Sequence, residues 1–441
     1  MFTKGKVTEY LRFVFRTKGI IGFFSRMGML LKWYDLSGKK MKRAVSEIQQ
    51  IGKKYSYRPA LIIPSVVLRR YNRFFDLFSN DGLELFAHGH VHKDFKSLNL
   101  SKKVAQIGSA GEIFNNFDMP IYGFRSPYPR RNGYTAETIQ KNNFQWESNE
   151  TLICNDYLVS QEIKLNSLMR NAIHLLYSPI DVQEDVVIPR ILGEIVGIPV
   201  TLPDDEILID RLGITDSNTI EGIWGNILEK TREQGGIFVL QLNPERFAIY
   251  RDATEGLLNR ASRPGQGIWL TSMKEVAEWW KEKSQFEVGF GSVPQKGYMV
   301  KCKCTDRAVV LCRNHSSEDS QTFFYRDYHT TKQREFFVVS GNLKPCIGVC
   351  PRCSGMLLNF LKDEGFAFEV SQDSSKYSLF IEGYEIFNRK DEQTLLNMIE
   401  ESTNPIIRYW RWPQGKRCAF VTSHDLNCLT LIDFLFKSLG K

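Results

Sequence analysis

Short apolar runs alternate with amphipathic stretches from about residue 35 onward, and this order constrains the fold more than any other feature of the chain. Met41, Val45, Ile48 and Ile51 fall at helical spacing, in a helix that Ser37 can cap and that reaches about Lys54. Ala60-Leu61-Ile62-Ile63 reads as a buried strand ended by Pro64. Residues 65–79 read as helix, and a half-apolar strand begins at Glu84. A further helix, about 101–115, carries Val104, Ile107 and Phe114 on one face. Strands are expected at about 236–242 and at Ile268-Trp269-Leu270. Ser272 and Glu275 form a capping box for a helix bearing Val276, Trp279 and Trp280. Such alternation builds an α/β sheet or barrel.

The strand from Glu84 runs into His88-Gly89-His90-Val91-His92. Three of the chain's seven histidines stand within these five residues, so this is a local concentration. On a helical turn, His88 and His92 would share one face, as two-histidine metal sites require. On a strand, His88 and His90 would share a face instead. Gly89 favours a tight turn, which supports the His88/His92 pairing. Neutral imidazoles suit zinc and similar divalent metals, and a third ligand must come from elsewhere in the chain.

A chain of 441 residues is long enough for two or three domains, and 42% hydrophobic with 24% charged residues is the balance of a globular protein. No apolar run reaches the ~18 residues of a membrane span. The start, Met1-Phe2-Thr3-Lys4-Gly5-Lys6, does not read as a signal peptide. The expectation is a cytoplasmic protein. Nine cysteines at irregular spacings suit reduced thiols better than a disulfide framework.

The net charge of +8 is unevenly placed. Residues 1–43 hold eleven lysines and arginines against Glu9 and Asp35, so the basicity belongs to the N-terminal end. Residues 7–34 interleave these cations with apolar side chains such as Phe13, Phe15, Ile20, Ile21, Phe23 and Phe24. A basic amphipathic arm of this kind, taken as residues 1–34, can lie on an anionic membrane surface or pack on the body with its cations solvated. No recognised nucleic-acid-binding module accompanies the charge, so nucleic acid is not an expected partner.

From about 285 to 404 the texture changes to short β-rich runs (286–290, 298–304, 307–312, 335–340, 366–370 and 377–381) with polar turns. This reads as an α+β insert. Six cysteines fall here, and Cys350-x-x-Cys353 has zinc-knuckle spacing. Its only partner would be Cys302-x-Cys304, an unusual second half, so free thiols are the expectation. The remaining segment, 405–441, holds a buried strand, Cys418-Ala419-Phe420-Val421-Thr422, that runs into Ser423-His424-Asp425-Leu426-Asn427, and then a helix of about 429–439. Polar groups at the carboxyl end of a strand are where α/β active sites are built. Arg125 stands at another strand end, before a loop stiffened by Pro127 and Pro129.

Together these pieces resemble the polysaccharide deacetylases of carbohydrate esterase family four, the chitooligosaccharide deacetylase homology group. The histidine segment looks like that family's His-(Ser/Thr)-x-x-His metal motif with Gly89 in second place, and Arg125-Ser126-Pro127-Tyr128 looks like its Arg-x-Pro-Tyr motif. Thr422 to Asn427 resembles the Asp-containing motif that normally opens the domain, and Leu242-Asn243-Pro244 resembles the closing Leu-x-His-Pro motif. The likeness covers roughly 35–284 and 405–441. Its order is unusual, because the opening strand stands at the C-terminus. The resemblance therefore implies a circularly permuted, deformed (β/α) barrel, with 35–284 its main part, 285–404 intervening and 405–441 completing it. In such a barrel the 418–422 strand should lie beside 60–63.

The resemblance also implies an activity: metal-dependent removal of N-acetyl groups from a glycan or polysaccharide precursor. His88, His92 and Asn427 would be the metal positions, with zinc first and cobalt or nickel as alternatives. Asp425 would be the general base, Arg125 would orient it, and the backbone N–H of Tyr128 would help bind the oxyanion. Two positions depart from the family. Asn427 stands where the family has a ligand aspartate, and Asn243 where it has an acid histidine. Asparagine is neutral and cannot serve as a general acid near neutral pH. Two alternatives follow: an impaired homologue that binds glycan or protein partners, and a hydrolase of another non-peptide C–N bond. His90 and His424 are nearby substitutes in sequence, although strand alternation turns His424 away from Asp425.

Overall fold

The computed structural model describes residues 30–78, 82–119, 121–129, 133–153, 187–313 and 323–438, with isolated positions 28, 173, 177, 180 and 181. Most of the basic arm lies outside the described residues. Among those described, no helix is long and apolar enough to cross a membrane.

A parallel sheet organises the chain, and Cys418–Asp425 is its central strand. Ile237–Leu242 pairs along one edge of this strand, with Leu242 level with His424. On the other edge, Ile268–Leu270 pairs with its first half and Ala60–Ile63 with its second half, Ile62 level with Asp425. The expected neighbourhood of the C-terminal strand and 60–63 is thus present. Beyond Ala60–Ile63 come Glu84–Ala87, Gly123–Phe124 and Trp146–Glu147.

Residues 146–153 and 195–202 then run side by side and curl the sheet. Trp146–Glu147 pairs with Ile195–Gly197, whereas Thr151–Ile153 pairs with Val200–Leu202, and Val200–Leu202 also pairs with Ile237–Leu242. The path that leaves the central strand on one side therefore returns to it on the other, giving a barrel-like α/β fold. The close approach at Gly123 is obligatory, since a Cβ there would fall 1.9 Å from the Trp146 ring.

Helices cover the outside of the sheet. Lys39–Lys54 buries Met41, Val45, Ile48 and Ile51 against it, as their spacing predicts. Its cap differs from expectation. Gly38, at φ 73°, is the N-cap residue, and the Asp35 carboxylate accepts the Lys40 N–H at 3.1 Å. Ser37 makes only a long contact to the Lys39 N–H, 3.4 Å. Leu100–Asn116 is capped by Asn99 and buries Ile107 and Phe114, but Val104 is 44% exposed and Lys103 takes the inward place. The apolar stripe here is one residue out of register with the burial, because the Lys103 stem can pack while its charge reaches outward. The Ser272–Glu275 capping box is present, with Val276, Trp279 and Trp280 buried behind it.

The described residues of 287–409 form three small sheets and two helices. Glu287–Val293, Gly297–Lys303 and Glu335–Val339 make an antiparallel sheet. Val310–Arg313 lies between Tyr328–Thr331 and Ile407–Tyr409. Lys344–Val349 lies between Phe368–Val370 and Tyr377–Ile381 in parallel. The strands at 323–325, 328–331 and 344–349 have no counterpart in the sequence reading. Their apolar content is interrupted by polar and charged residues, which hides the period of two. The eight described cysteines are free thiols, and no group of three or more His, Cys, Asp or Glu among the described residues could by itself hold a metal.

The inner face of the barrel and the apolar side of 287–412 share one core, which runs from Ile62, Val239 and Val421 to Val310, Leu311 and Trp412. Trp412 Nε1–H donates to Gly235 O at 2.8 Å and Arg411 donates to Gln234 O at 2.7 Å, both just before the Ile237 strand begins. This packing closes the amino-terminal end of the barrel.

Candidate active site

Five of the described strands end in or just before a polar residue at the carboxyl end of the barrel: His88, Arg125, Ser148, Asn243 and Asp425. Alternation along Cys418–Asp425 sends Cys418 and Phe420 to the helix-side core and Ala419 and Val421 to the inner core. Ser423 and Asp425 continue the inner series. His424 continues the outer one, as the sequence reading expects, and its Nδ1 is buried without a hydrogen-bond partner. Burial pushes its imidazole down to about 3. His424 is thus no substitute ligand on the inner face.

Arg125 ties this strand to its neighbours. Its Nη1 donates to Asp425 Oδ1 at 2.9 Å and to Ser423 Oγ at 3.0 Å, and its Nη2 donates to Ser148 Oγ at 2.9 Å. Arg125 is fully buried and Asp425 nearly so. In such surroundings an ion pair is strongly coupled, and each partner fixes the position of the other.

The histidine segment is a turn, not a helix. Gly89 at φ 74° reverses the chain, and Gln106 Oε1 accepts the N–H groups of His90 and Val91. The turn brings the rings of His88 and His92 to 5.3 Å between centroids. The pairing expected from helical spacing is present, but glycine produces it. His88 Nδ1 lies 2.8 Å from Arg125 O. A carbonyl only accepts, so Nδ1 carries the proton and Nε2 keeps its lone pair. Burial pushes His88 down to about 4, partly offset by the Asp425 charge. Burial also holds His92 well below its usual value, with Lys437 and His88 adding to the effect. Both rings are neutral near pH 7. His90 turns aside, its Nδ1 3.0 Å from Ser65 Oγ.

Tyr128 packs edge-on against His92, with centroids 5.1 Å apart, and its backbone sits at φ 56°. A tyrosine in this left-handed region is strained, and the surrounding loop has to hold it there. The Asn149 amide does so: its Oδ1 accepts both the N–H (2.7 Å) and the hydroxyl (2.8 Å) of Ser126, while its Nδ2 donates to Glu147 Oε2 at 2.7 Å.

Asn427 lies two residues beyond the central strand, 7% exposed, and its Oδ1 has no hydrogen-bond partner. Two neutral imidazoles and an unsatisfied amide oxygen are donor types that a borderline divalent metal accepts. Asn243, level with the residue after His424, is turned to Asp205: its backbone N–H and its Nδ2 donate to the two carboxylate oxygens at 3.1 and 3.0 Å. Arg246 donates to the same carboxylate at 3.3 Å.

Sequence reasoning missed Ser148, Asn149, Ser423, Asp204 and Asp205. The signal for the last two was readable: an apolar strand, Val200–Leu202, followed by Pro203 and three consecutive acids. Asp204 is fully buried, accepts from Tyr177 at 2.7 Å, and is pushed up to about 7 by burial and by Glu206.

No family model matches the sequence, and no curated protein matches it either. Solved structures with partial likeness include a putative polysaccharide deacetylase from Mycobacterium smegmatis, at 14% identity and TM-score 0.40 over 54% of this chain and 76% of that one. PuuE allantoinase aligns at 13% identity and TM-score 0.41, over 54% of this chain and 72% of that one. A family 4 carbohydrate esterase from Streptomyces lividans aligns at 10% identity and TM-score 0.23, over 32% and 71%.

Proposed function

We propose that the protein is a metal-dependent hydrolase that removes N-acetyl groups from a glycan or glycan precursor. The observation that carries this reading is the buried Arg125–Asp425 pair set beside two neutral histidines at the carboxyl end of a curled parallel sheet. In the same reading the barrel is a circularly permuted deacetylase barrel, made of 35–284 and 405–441, with 285–404 as the intervening segment.

His88, His92 and Asn427 would hold the metal, zinc in first place, which when bound supplies a Lewis acid for the acetyl carbonyl and an acidified water. Asp425, held by Arg125, takes the proton of the attacking water. The Tyr128 backbone N–H binds the carbonyl oxygen as negative charge builds on it. Asn243 has no proton to give, so the proton that Asp425 takes is the one it returns to the departing amine. Attack on the carbonyl carbon and cleavage of the C–N bond leave acetate and a free amino sugar.

A second reading is a homologue that binds glycan with little or no turnover. It is favoured by the neutral Asn427 oxygen and by the tethering of Asn243 to Asp205. Elemental analysis, with acetate release from N-acetylglucosamine oligomers under added zinc, cobalt or nickel, separates the two. The tests use the intact protein and a His88→Ala/His92→Ala variant. Bound metal and acetate release, both lost in the variant, support the hydrolase. Absence of both under every supplement sinks it, and metal without acetate points to another C–N bond.

A further inference from the structure

The rim beside the candidate site is built from two segments far apart in sequence. The Leu431 N–H donates to Asp35 O at 3.0 Å, and the Tyr34 and Phe434 rings lie 5.7 Å apart. These contacts join residues 30–37 to the helix Leu431–Ser438. Their inner faces are covered, with Tyr34 buried and Leu431 and Phe434 packed on the core. Their outer faces are not: Leu36 is 69% exposed, Leu31 53%, Leu435 52% and Ile432 47%. Ile432 and Leu435 are three residues apart and share one side of their helix. Four large apolar side chains exposed on two joined segments form a patch, unlike the single exposed leucines of any surface.

The helix that carries Ile432 and Leu435 begins four residues after Asn427, so the patch lies beside the candidate site. The Arg246 guanidinium, three residues past Asn243, lies 5.0 Å from the Trp33 ring. Lys437, in the last turn of the same helix, adds a cation to this rim. Lys32, Lys39, Arg69 and Lys93 are exposed, and Arg69 adjoins Arg70, whose guanidinium donates to Asp433 of the same helix at 3.0 Å. The chain also enters at this edge, after residues 1–27 with six cations and one acid.

Apolar side chains ringed by cations match one kind of surface, an anionic lipid bilayer. A soluble anionic glycan would meet the cations and leave the leucines in water. Residues 1–27 folded back over the patch would bring their own positive charge against a basic rim. We propose that this rim docks on an anionic bilayer, with the candidate site on the membrane side. On the deacetylase reading above, the substrate is then a glycan carried at a membrane, although the docking does not depend on that reading.

The test is co-sedimentation of the intact protein with phosphatidylcholine vesicles, with and without phosphatidylglycerol. It is run on the unmodified protein, on Ile432→Glu/Leu435→Glu, and on Met299→Glu/Val339→Glu, whose exposed apolar pair lies in the 287–409 region. Circular dichroism and sedimentation velocity check the fold and assembly of each. The expected result is binding to the phosphatidylglycerol vesicles alone, weakened by salt. The rim variant should lose about tenfold or more in affinity, as two side chains lose their burial, and the control should lose nothing. No binding, or binding unchanged in the rim variant, overturns the proposal; the second result would assign attachment to residues 1–27. An oligomer dispersed by the rim substitutions without vesicles also overturns it, because a second copy would then cover the patch. Metal and acetate are not read in this test, so its failure and that of the hydrolase reading are separate results.

Discussion

Arg125 and Asp425 stand 300 residues apart in the chain and meet in a buried ion pair of 2.9 Å. The pair links the Gly123–Phe124 strand end to the central strand, across Ala60–Ile63 and Glu84–Ala87. Removing one partner leaves the other charged and without water. Arg125→Met is expected to cost about 3–5 kcal/mol in folding stability by urea denaturation. The double variant Arg125→Met/Asp425→Leu should cost clearly less than the sum of the two single changes. Additive losses would show that the two side chains do not act as a unit.

Asn427 tests the metal reading without reference to turnover. Asn427→Asp places a full negative charge where a neutral oxygen now stands. Zinc affinity by isothermal titration should rise about tenfold or more, since a carboxylate ligand compensates the cation and an amide does not. An unchanged affinity would remove Asn427 from the ligand set.

At Asn243 the expectation concerns rate. Asn243→His introduces a group that can donate a proton, beside an Asp205 carboxylate able to orient it. Acetate release should rise by up to about 10²-fold in kcat, with little change in KM. A fall in kcat would mean that the amide already does work a histidine cannot replace.

His424 gives a pH signature. Burial pushes its imidazole from the usual 6.5 down to about 3. The unfolded chain takes up a proton below about pH 6.5, and the folded chain does not until about pH 3. Stability therefore falls as pH drops through that window, by up to about 1.4 kcal/mol per unit. His424→Leu removes this dependence and adds no unpaired group, since Nδ1 has no partner to lose. Relative to the unmodified protein, the variant should gain about 2 kcal/mol between about pH 7 and pH 5 in urea melts. A parallel pH profile would contradict the assignment.

Glu364 joins two arginines of the 287–412 segment, and one of them, Arg411, reaches the barrel at Gln234 O. Its Oε2 accepts from Arg408 at 2.9 Å and from Arg411 at 2.8 Å, and all three residues are buried. Glu364→Gln leaves two buried guanidinium groups short of a counter-charge, and a loss of about 3–5 kcal/mol is expected by denaturant titration.

The sequence by itself determined what depends on neighbours along the chain. The four-residue apolar run at 60–63 could only be a doubly buried strand, the 3-and-4 spacing from Met41 to Ile51 a helix face, and Ser272–Glu275 a cap. Alternation along 418–425 already separated His424 from Asp425. Family-like motifs singled out Arg125, His88 and His92 as well. Other local features were misjudged where a competing group was available: Asp35 and Gly38 displaced Ser37 at a cap, and a lysine stem displaced Val104 from the inward face. Only the tertiary structure decided which strand ends meet. Ser148, Asn149 and Ser423 are ordinary polar residues until the sheet order sets them around Arg125 and the Ser126 loop. Secondary structure follows from periodicities of two and 3.6 residues that any short window displays. A site assembled from strands 300 residues apart follows from the order in which those strands pair, and the energy of that pairing is spread over the whole buried core.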